Sequence, residues 1–268
     1  MHALVTGHAG YIGGVLADQL VDAGHDVVGF DNDDDPADDI RDVDRLRTVF
    51  ADHDFDVVYH LAADADVWSD DWQYLVENNV QGTVNVAGVA REHDVPVVFS
   101  SSISATDQSN RYGHSKHLAE GAVSEYDGVT TIRFPNVIGG PAPRGQAQAM
   151  IEQAIDGEIE VWGNGEIVRP YVDVNDLCTV LRDLGSGTFD VSSPAAVSSY
   201  SATNETVGER IQTIVAAETG SEPALSVIDR TPPSPMEYAV DDLAIRDPTS
   251  LDESLRSQVL AAVDARRQ

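Results

Sequence analysis

The chain has 268 residues, 42% of them apolar, enough to bury a sizeable core in one domain or in a large domain with a small appendage. Forty-six acidic against sixteen basic residues give a formal net charge of -30, which repels nucleic-acid backbones and anionic membrane surfaces, so neither is an expected partner. No run approaches the length of a membrane span, and Met1 leads straight into an apolar stretch rather than a basic leader, so neither a span nor a signal peptide is expected. Cys178 is the only cysteine, which excludes an internal disulfide and fits a reducing cytoplasm; its DLCTVL setting predicts burial.

In chain order, HALVT (2–6), DVVGF (26–30), DVVYH (56–60), VPVVFS (95–100) and VTTIRF (129–134) read as buried strands. Helical spacing separates them over 11–23, 43–50, 72–91 and 112–126. This alternation predicts an α/β fold, a doubly wound parallel sheet of Rossmann type. After about residue 135 the rhythm changes. PNVIGGPAPRG is irregular, 146–155 reads as a helix, and two extended pieces flank a GNG turn in EIEVWGNGEIVRPYVDV. TFDVS (188–192) reads as a strand, Thr203 as the start of a helix running toward Thr219, and 251–263 as a closing amphipathic helix. The expected organisation is a nucleotide-binding domain over 1–135, then a small interwoven substrate lobe over 136–268 with elements returning to the core.

TGHAGYIGG places Gly7, Gly10 and Gly13 between the first strand and the first helix. That spacing permits a tight turn, close approach of a pyrophosphate and close helix packing, with helix-terminal amides facing the phosphates. Asp31 ends the next strand, eighteen residues after Gly13. A carboxylate there accepts from both ribose hydroxyls and repels a 2'-phosphate, so NAD is the expected cofactor rather than NADP.

RYGHSK contains Lys116, the only lysine of the chain, four residues after Tyr112. One helical turn puts both side chains toward the same cleft. A tyrosine of ordinary pKa is a poor base at neutral pH, and an adjacent ammonium is expected to lower that pKa. Ser100, Ser101 and Ser102 end a strand, where ligands of parallel sheets bind. An exposed ion-pairing role would suit arginine equally; a lone lysine argues for a compact point charge. His60 is expected to be structural, His8, His114 and His117 carry no required role, and no His or Cys spacing demands a metal.

Together, GHAGYIG, Asp31, HLAA (60–63), NNVQGT (78–83), FSSS (99–102), YGHSK (112–116), RFPNVIGGP (133–141), RPYVDVND (169–176) and LDESLR (251–256) resemble the extended short-chain dehydrogenase/reductase family, in particular its NAD-dependent sugar-nucleotide epimerase/dehydratase group. The resemblance implies that Gly7, Gly10, Tyr11, Ile12 and Gly13 meet the pyrophosphate, Asp31 the adenosine ribose, and Asp39 and Ile40 the adenine. It places Leu61, Ala62, Ala63 and Asn79 along the cofactor, makes Ser102, Tyr112 and Lys116 the catalytic set, and sets Asn136 and Arg169 at a substrate diphosphate. The acid-rich, lysine-poor composition is similar to that of proteins from salt-accumulating halophiles.

The implied reaction is C4 epimerisation of a nucleoside-diphosphate sugar, such as UDP-glucose, through a transient 4-keto sugar. An NAD-dependent sugar or uronate dehydrogenase is the alternative, since only residues 103–111 separate Ser102 from Tyr112 and the substrate lobe is short. A 4,6-dehydratase is disfavoured, because Ile103 and Ser104 stand where that class carries an Asp–Glu pair. A nonenzymatic nucleotide binder would have no need of the Ser–Tyr–Lys set. The family resemblance also implies a homodimer built on helices 72–91 and 112–126.

Overall fold

The first five apolar runs become parallel neighbours in one sheet: β1 (His2–Thr6), β2 (Asp26–Phe30), β3 (Val57–His60), β4 (Val97–Ser102) and β5 (Val129–Phe134). The computed structural model describes residues 1–108, 110–142, 145–163, 165, 167–228 and 243–267. It divides into two units, Met1–Phe134 with Cys178–Ala196, and Pro135–Leu177 with Val197–Gln268. The chain passes from one unit to the other inside α8 (Val174–Gly185) and β9 (Ala195–Ser198).

In the first unit the strand order is β2-β1-β3-β4-β5, closed by Ala195 and Ala196 of β9 beside β5. All pairs are parallel. Every residue of β3 and β4 is buried, and both open on consecutive apolar residues, Val57–Tyr59 and Val97–Phe99, rather than alternating. The helices are α1 (Tyr11–Asp22), α2 (Val43–Asp52), α3 (Trp72–Leu75), a π-helical stretch at Val76–Gln81, α4 (Gly82–Glu92), α5 (Ser104–Asp107) and α6 (Arg111–Val123). Phe30, Leu46, Phe50, Val58, Val86, Phe99 and Val123 belong to one core cluster. The chain reverses direction across the sheet between β1 and β3, where Thr6 lies in register with His60. Ligands of open parallel sheets bind beyond the strand ends at such a switch point.

In the second unit, β6 (Asn136–Ile138), β8 (Val168–Asp173) and β10 (Tyr200–Thr203) form a three-stranded sheet, and β7 (Glu158–Trp162) pairs with β11 (Ala224–Ile228). Helices α7 (Gln146–Ile155), α9 (Asn204–Thr219) and α10 (Leu251–Ala265) enclose Ile151, Ile159, Val161, Ile211, Val215, Leu255 and Val259. Caps explain the helix starts: Thr203 accepts from the Thr206 amide, and Ser250 forms a reciprocal capping box with Glu253. The remaining strand, β12 (Leu243–Ala244), pairs in parallel with Val197 and Ser198.

Two expectations change. TFDVS is not a strand; the sheet takes up Ala195–Ser198 instead, whose first three residues are buried whereas Thr188, Asp190 and Ser192 are exposed. The two extended pieces flanking GNG are both strands, as expected, and lie in different sheets: β7 joins β11, and β8 joins β6 and β10. Asn164 and Glu166 of that connection, like Pro143 and Arg144 of the irregular stretch, lie outside the described residues. Finally, the 72–91 segment is not one regular helix, because the π-helical turn interrupts it at Asn78 and Asn79.

Candidate functional site

The turn after β1 is built from backbone packed against backbone. Gly7 has φ +76, and a Cβ there would lie 2.7 Å from the Ala62 amide nitrogen. A Cβ on Gly13 would lie 2.0 Å from the Gly7 carbonyl oxygen, and one on Gly10 3.2 Å from it. Contacts under 3 Å leave no room for any side chain at Gly7 and Gly13. Helix α1 starts behind this turn with no side-chain cap at Gly10. A close-packed turn at an uncapped helix start fits an anionic pyrophosphate. Asp31 follows β2, and its carboxylate accepts from the amides of Ala9, 3.1 Å, and Asp33, 2.9 Å. Tyr11 and Ile12 are partly buried on the first turn of α1.

Behind the loop runs a buried hydrogen-bonded chain. The Ala62 amide donates to Thr6 Oγ1 at 3.3 Å, Thr6 Oγ1 meets His60 Nδ1 at 2.7 Å, and His60 Nε2 meets Thr83 Oγ1 at 3.0 Å. The Thr83 hydroxyl donates to the Asn79 carbonyl at 2.7 Å. Its proton is thereby committed, so His60 donates through Nε2 and accepts through Nδ1. Burial pulls the His60 pKa down to about 3, with the charge of Lys116 acting in the same direction, and the ring is neutral. This is the structural role expected for it.

Asn79 then crosses to α6. Its side-chain amide donates to Ser115 Oγ at 3.0 Å and to the Asp64 carbonyl at 2.9 Å, and its oxygen accepts from the Asp64 amide at 2.8 Å. Ser115 Oγ donates in turn to the Tyr112 carbonyl at 2.8 Å. The segment holding Leu61, Ala62 and Ala63 is thus tied to the helix that carries Tyr112 and Lys116. Helix α6 begins at Asn110, whose side chain accepts from the Gly113 amide at 2.7 Å. A Cβ on Gly113 would lie 2.3 Å from the Ser104 carbonyl oxygen, so only glycine lets α6 pack this tightly on α5. That packing is how the short 103–111 connection brings Tyr112 back to Ser102.

Ser102 is buried at the end of β4, where its Oγ accepts from the Ser104 amide at 3.2 Å, and its hydroxyl is near enough to act on the Tyr112 phenol. Burial pushes the Tyr112 phenol up to about 12; the Ser102 hydroxyl pulls it down, and Asp64 pushes it up. Lys116 is 2% exposed, and its Nζ donates to the Ser100 carbonyl at 2.8 Å. Burial draws the lysine down to about 7, opposed by Glu120. The expected lowering of Tyr112 by Lys116 is therefore not found in the protein alone. The ammonium is turned onto a β4 carbonyl and is itself stripped of water, so desolvation governs both groups.

Asp39 and Ile40 precede α2. Ile40 is buried and fills the notch left by Gly82, where a Cβ would lie 2.5 Å from Ile40 Cδ1. Asn85 Nδ2 donates to the Ile40 and Arg41 carbonyls, 3.0 and 3.1 Å, and pins this backbone to α4. The Asp39 carboxylate is taken up by Arg41 Nε, 2.9 and 3.0 Å, which holds its pKa below the usual range. An open hollow here is lined by Ala37, Asp39, Arg41 and Glu77.

In the second unit, Asn136 Nδ2 donates to the Pro170 carbonyl at 3.0 Å. Arg169 lies on β8 opposite Ala202, and its Nε is buried with no hydrogen-bond acceptor among the described residues. Two residues on, Tyr171 is fully buried; burial pushes its phenol up to about 12, against the pull of Arg169. Among the described residues, no cluster of three His, Cys, Asp or Glu side chains could hold a metal ion, and no helix is long and apolar enough to cross a membrane.

Residues 3–182 match the model of the NAD dependent epimerase/dehydratase family, about two thirds of the chain. The chain belongs to that family. The matched range holds every site residue named above, from Gly7 to Arg169. Among its relatives in NAD dependent epimerase/dehydratase proteins, a UDP-glucose 4-epimerase of Streptomyces lividans is 31% identical over 65% of this chain and 68% of its own length. A 2-alkyl-3-oxoalkanoate reductase of Stenotrophomonas maltophilia is 27% identical over 65% of this chain and 62% of its own. The chain thus spans only about two thirds of the length of these relatives. The fold is similar to that of the Bordetella bronchiseptica enzyme WbmH, solved in complex with NAD+, with a TM-score of 0.84 at 22% identity over 98% of both chains.

Within this family frame, Thr83, Asn85 and Thr6 support the site through partners 23 to 56 residues away, which no local spacing links, whereas Ser115 meets Tyr112 within one helical turn.

Proposed function

We propose that the protein catalyses NAD-dependent epimerisation of a nucleoside-diphosphate sugar at C4, through a transient 4-keto sugar. The observation that carries this reading is Ser102, buried at the end of β4 and near enough to act on the Tyr112 phenol, with Lys116 one helical turn further along α6. In this reading the first unit binds the dinucleotide, with Gly7, Gly10 and Gly13 at its pyrophosphate and Asp31 at its ribose. NAD, when bound, supplies the hydride acceptor and returns the hydride, so no net oxidation results. Tyr112 takes the C4 hydroxyl proton and Ser102 holds the same oxygen. Because the phenol of the protein alone sits near 12, proton transfer relies on Ser102 and on positive charge gathered at the site. In the second unit the unsatisfied Arg169 Nε suits a phosphate oxygen, and Asn136 serves the same diphosphate.

The dehydrogenase reading is kept alive by the reductase among the relatives and by the short 103–111 connection. The two readings separate in one experiment. Protein in high salt is incubated with UDP-glucose, UDP-galactose, their N-acetyl and uronate relatives and free uronates, following sugar identity and NADH together. Interconversion without net NADH supports the epimerase; stoichiometric NADH overturns it in favour of the dehydrogenase. Tyr112→Phe is expected to lower turnover by a factor on the order of 10²–10⁴ with NAD affinity, measured by calorimetry, near wild type. Unchanged turnover would remove Tyr112 from its role. The protein is also proposed to act as a homodimer through segments 72–91 and 112–126, where Tyr74 and Leu118 are exposed. A monomeric mass by light scattering in high salt would refute this.

A further inference from the structure

Lys116 is the only lysine in the chain, and its ammonium is buried with a carbonyl, that of Ser100 at 2.8 Å, as its hydrogen-bond partner. It also lies 5.1 Å from the Phe99 ring centroid. Neither contact supplies a negative charge. One turn further along α6, Glu120 supplies one, with its side chain only 10% exposed. The Glu120 carboxylate is held on three sides: Arg133 Nε donates at 2.9 Å, Arg133 Nη2 at 2.7 Å, and Ser101 Oγ at 2.5 Å. The simplest role for such a trio is a clamp fastening α6 to β4 and β5. A clamp does not need its acid one turn from the only buried lysine.

We propose that Glu120 is a positioning residue of the catalytic helix, its carboxylate locked by Arg133 and Ser101 so that it sustains the charge of Lys116 without pairing with it directly. The inference rests on the reading of Lys116 as part of the catalytic set. Arg133 has the opposing part: it neutralises most of the carboxylate, while Lys116 Nζ stays on the Ser100 carbonyl rather than on Glu120. The charged or titratable groups that interact with Lys116 are Glu120 on its own helix and His60 on β3, while β4 presents the uncharged Phe99 ring and the Ser100 carbonyl. Since His60 is neutral, Glu120 is the acid that acts on Lys116, raising its pKa where burial lowers it to about 7.

A single lysine makes this directly measurable. Protein carrying [13Cε]lysine gives one side-chain resonance, whose pH titration reads Lys116 with no turnover required. Glu120→Gln is expected to lower the midpoint by about one pH unit, and Arg133→Gln to raise it, since removing the arginine frees the carboxylate. Both substitutions break the same clamp, so a purely structural role would move the midpoint the same way in both. Equal or absent displacements overturn the proposal. If Glu120→Gln does not fold, Arg133→Gln decides alone: a rise supports it, and a fall or no change overturns it. The assay is also separable from the catalytic reading, because loss of the Tyr112 assignment would leave the lysine titration untouched.

Discussion

His60 shows what a single buried ring contributes. In the folded chain its pKa is pulled down to about 3 by burial, against an ordinary 6.5. Between those values the unfolded chain binds a proton that the folded chain does not, so stability falls as pH drops through that window. Between pH 7 and pH 5 the loss is about 2 kcal/mol. Urea melts at those two pH values should show it in the wild type, and His60→Gln should remove most of that pH dependence. Equal pH dependence in the two proteins would mean that the ring is not held neutral. At the same scale, Tyr112 and Lys116 follow the same rule: being stripped of water is the largest influence on each, so each is biased toward its uncharged form.

At the scale of elements, the glycine turn and the helix it opens act as one piece. The Gly13 position touches the Gly7 carbonyl, and Gly7 touches the backbone of Ala62, so β1, α1 and the end of β3 are locked through atoms that cannot rotate away. Gly13→Ala is expected to cost about 1–3 kcal/mol through overpacking and to abolish NAD binding by calorimetry at concentrations that saturate the wild type. Retained binding would show that the turn can open. The π-helical turn at 76–81 belongs to the same scale. It sets Asn79 so that its carbonyl receives Thr83 while its amide reaches Ser115, a double use within one helical element. Such turns recur at functional sites.

For the whole molecule, charge dominates. Forty-six acids against sixteen basic residues repel one another over about 30 Å at 0.01 M salt but only about 3 Å at 1 M. Dialysis from high into low salt is expected to reduce ellipticity and activity together, and restoring salt should recover them where aggregation has not intervened. Full ellipticity and activity without added salt would show that the fold tolerates its charge unaided.

The sequence by itself determined the alternation of strands and helices, because short apolar-rich runs bounded by helical spacing mark the strands of a parallel sheet: β1, β2 and β5 run over the same residues that those runs mark. It also determined the glycine turn, the acid after β2 and the Tyr–Lys spacing, since these are local in the chain. Only the tertiary structure decided that β9 starts at Ala195 rather than at TFDVS, because strand choice at a sheet edge follows burial against β5 and not local propensity. Only the tertiary structure revealed the Thr6–His60–Thr83–Asn79 chain and the Glu120–Arg133–Ser101 cluster, whose members come from separate elements. The electrostatic state of Tyr112 and Lys116 was decided there as well, because spacing along a helix says which groups are close and burial says which of their charges survive.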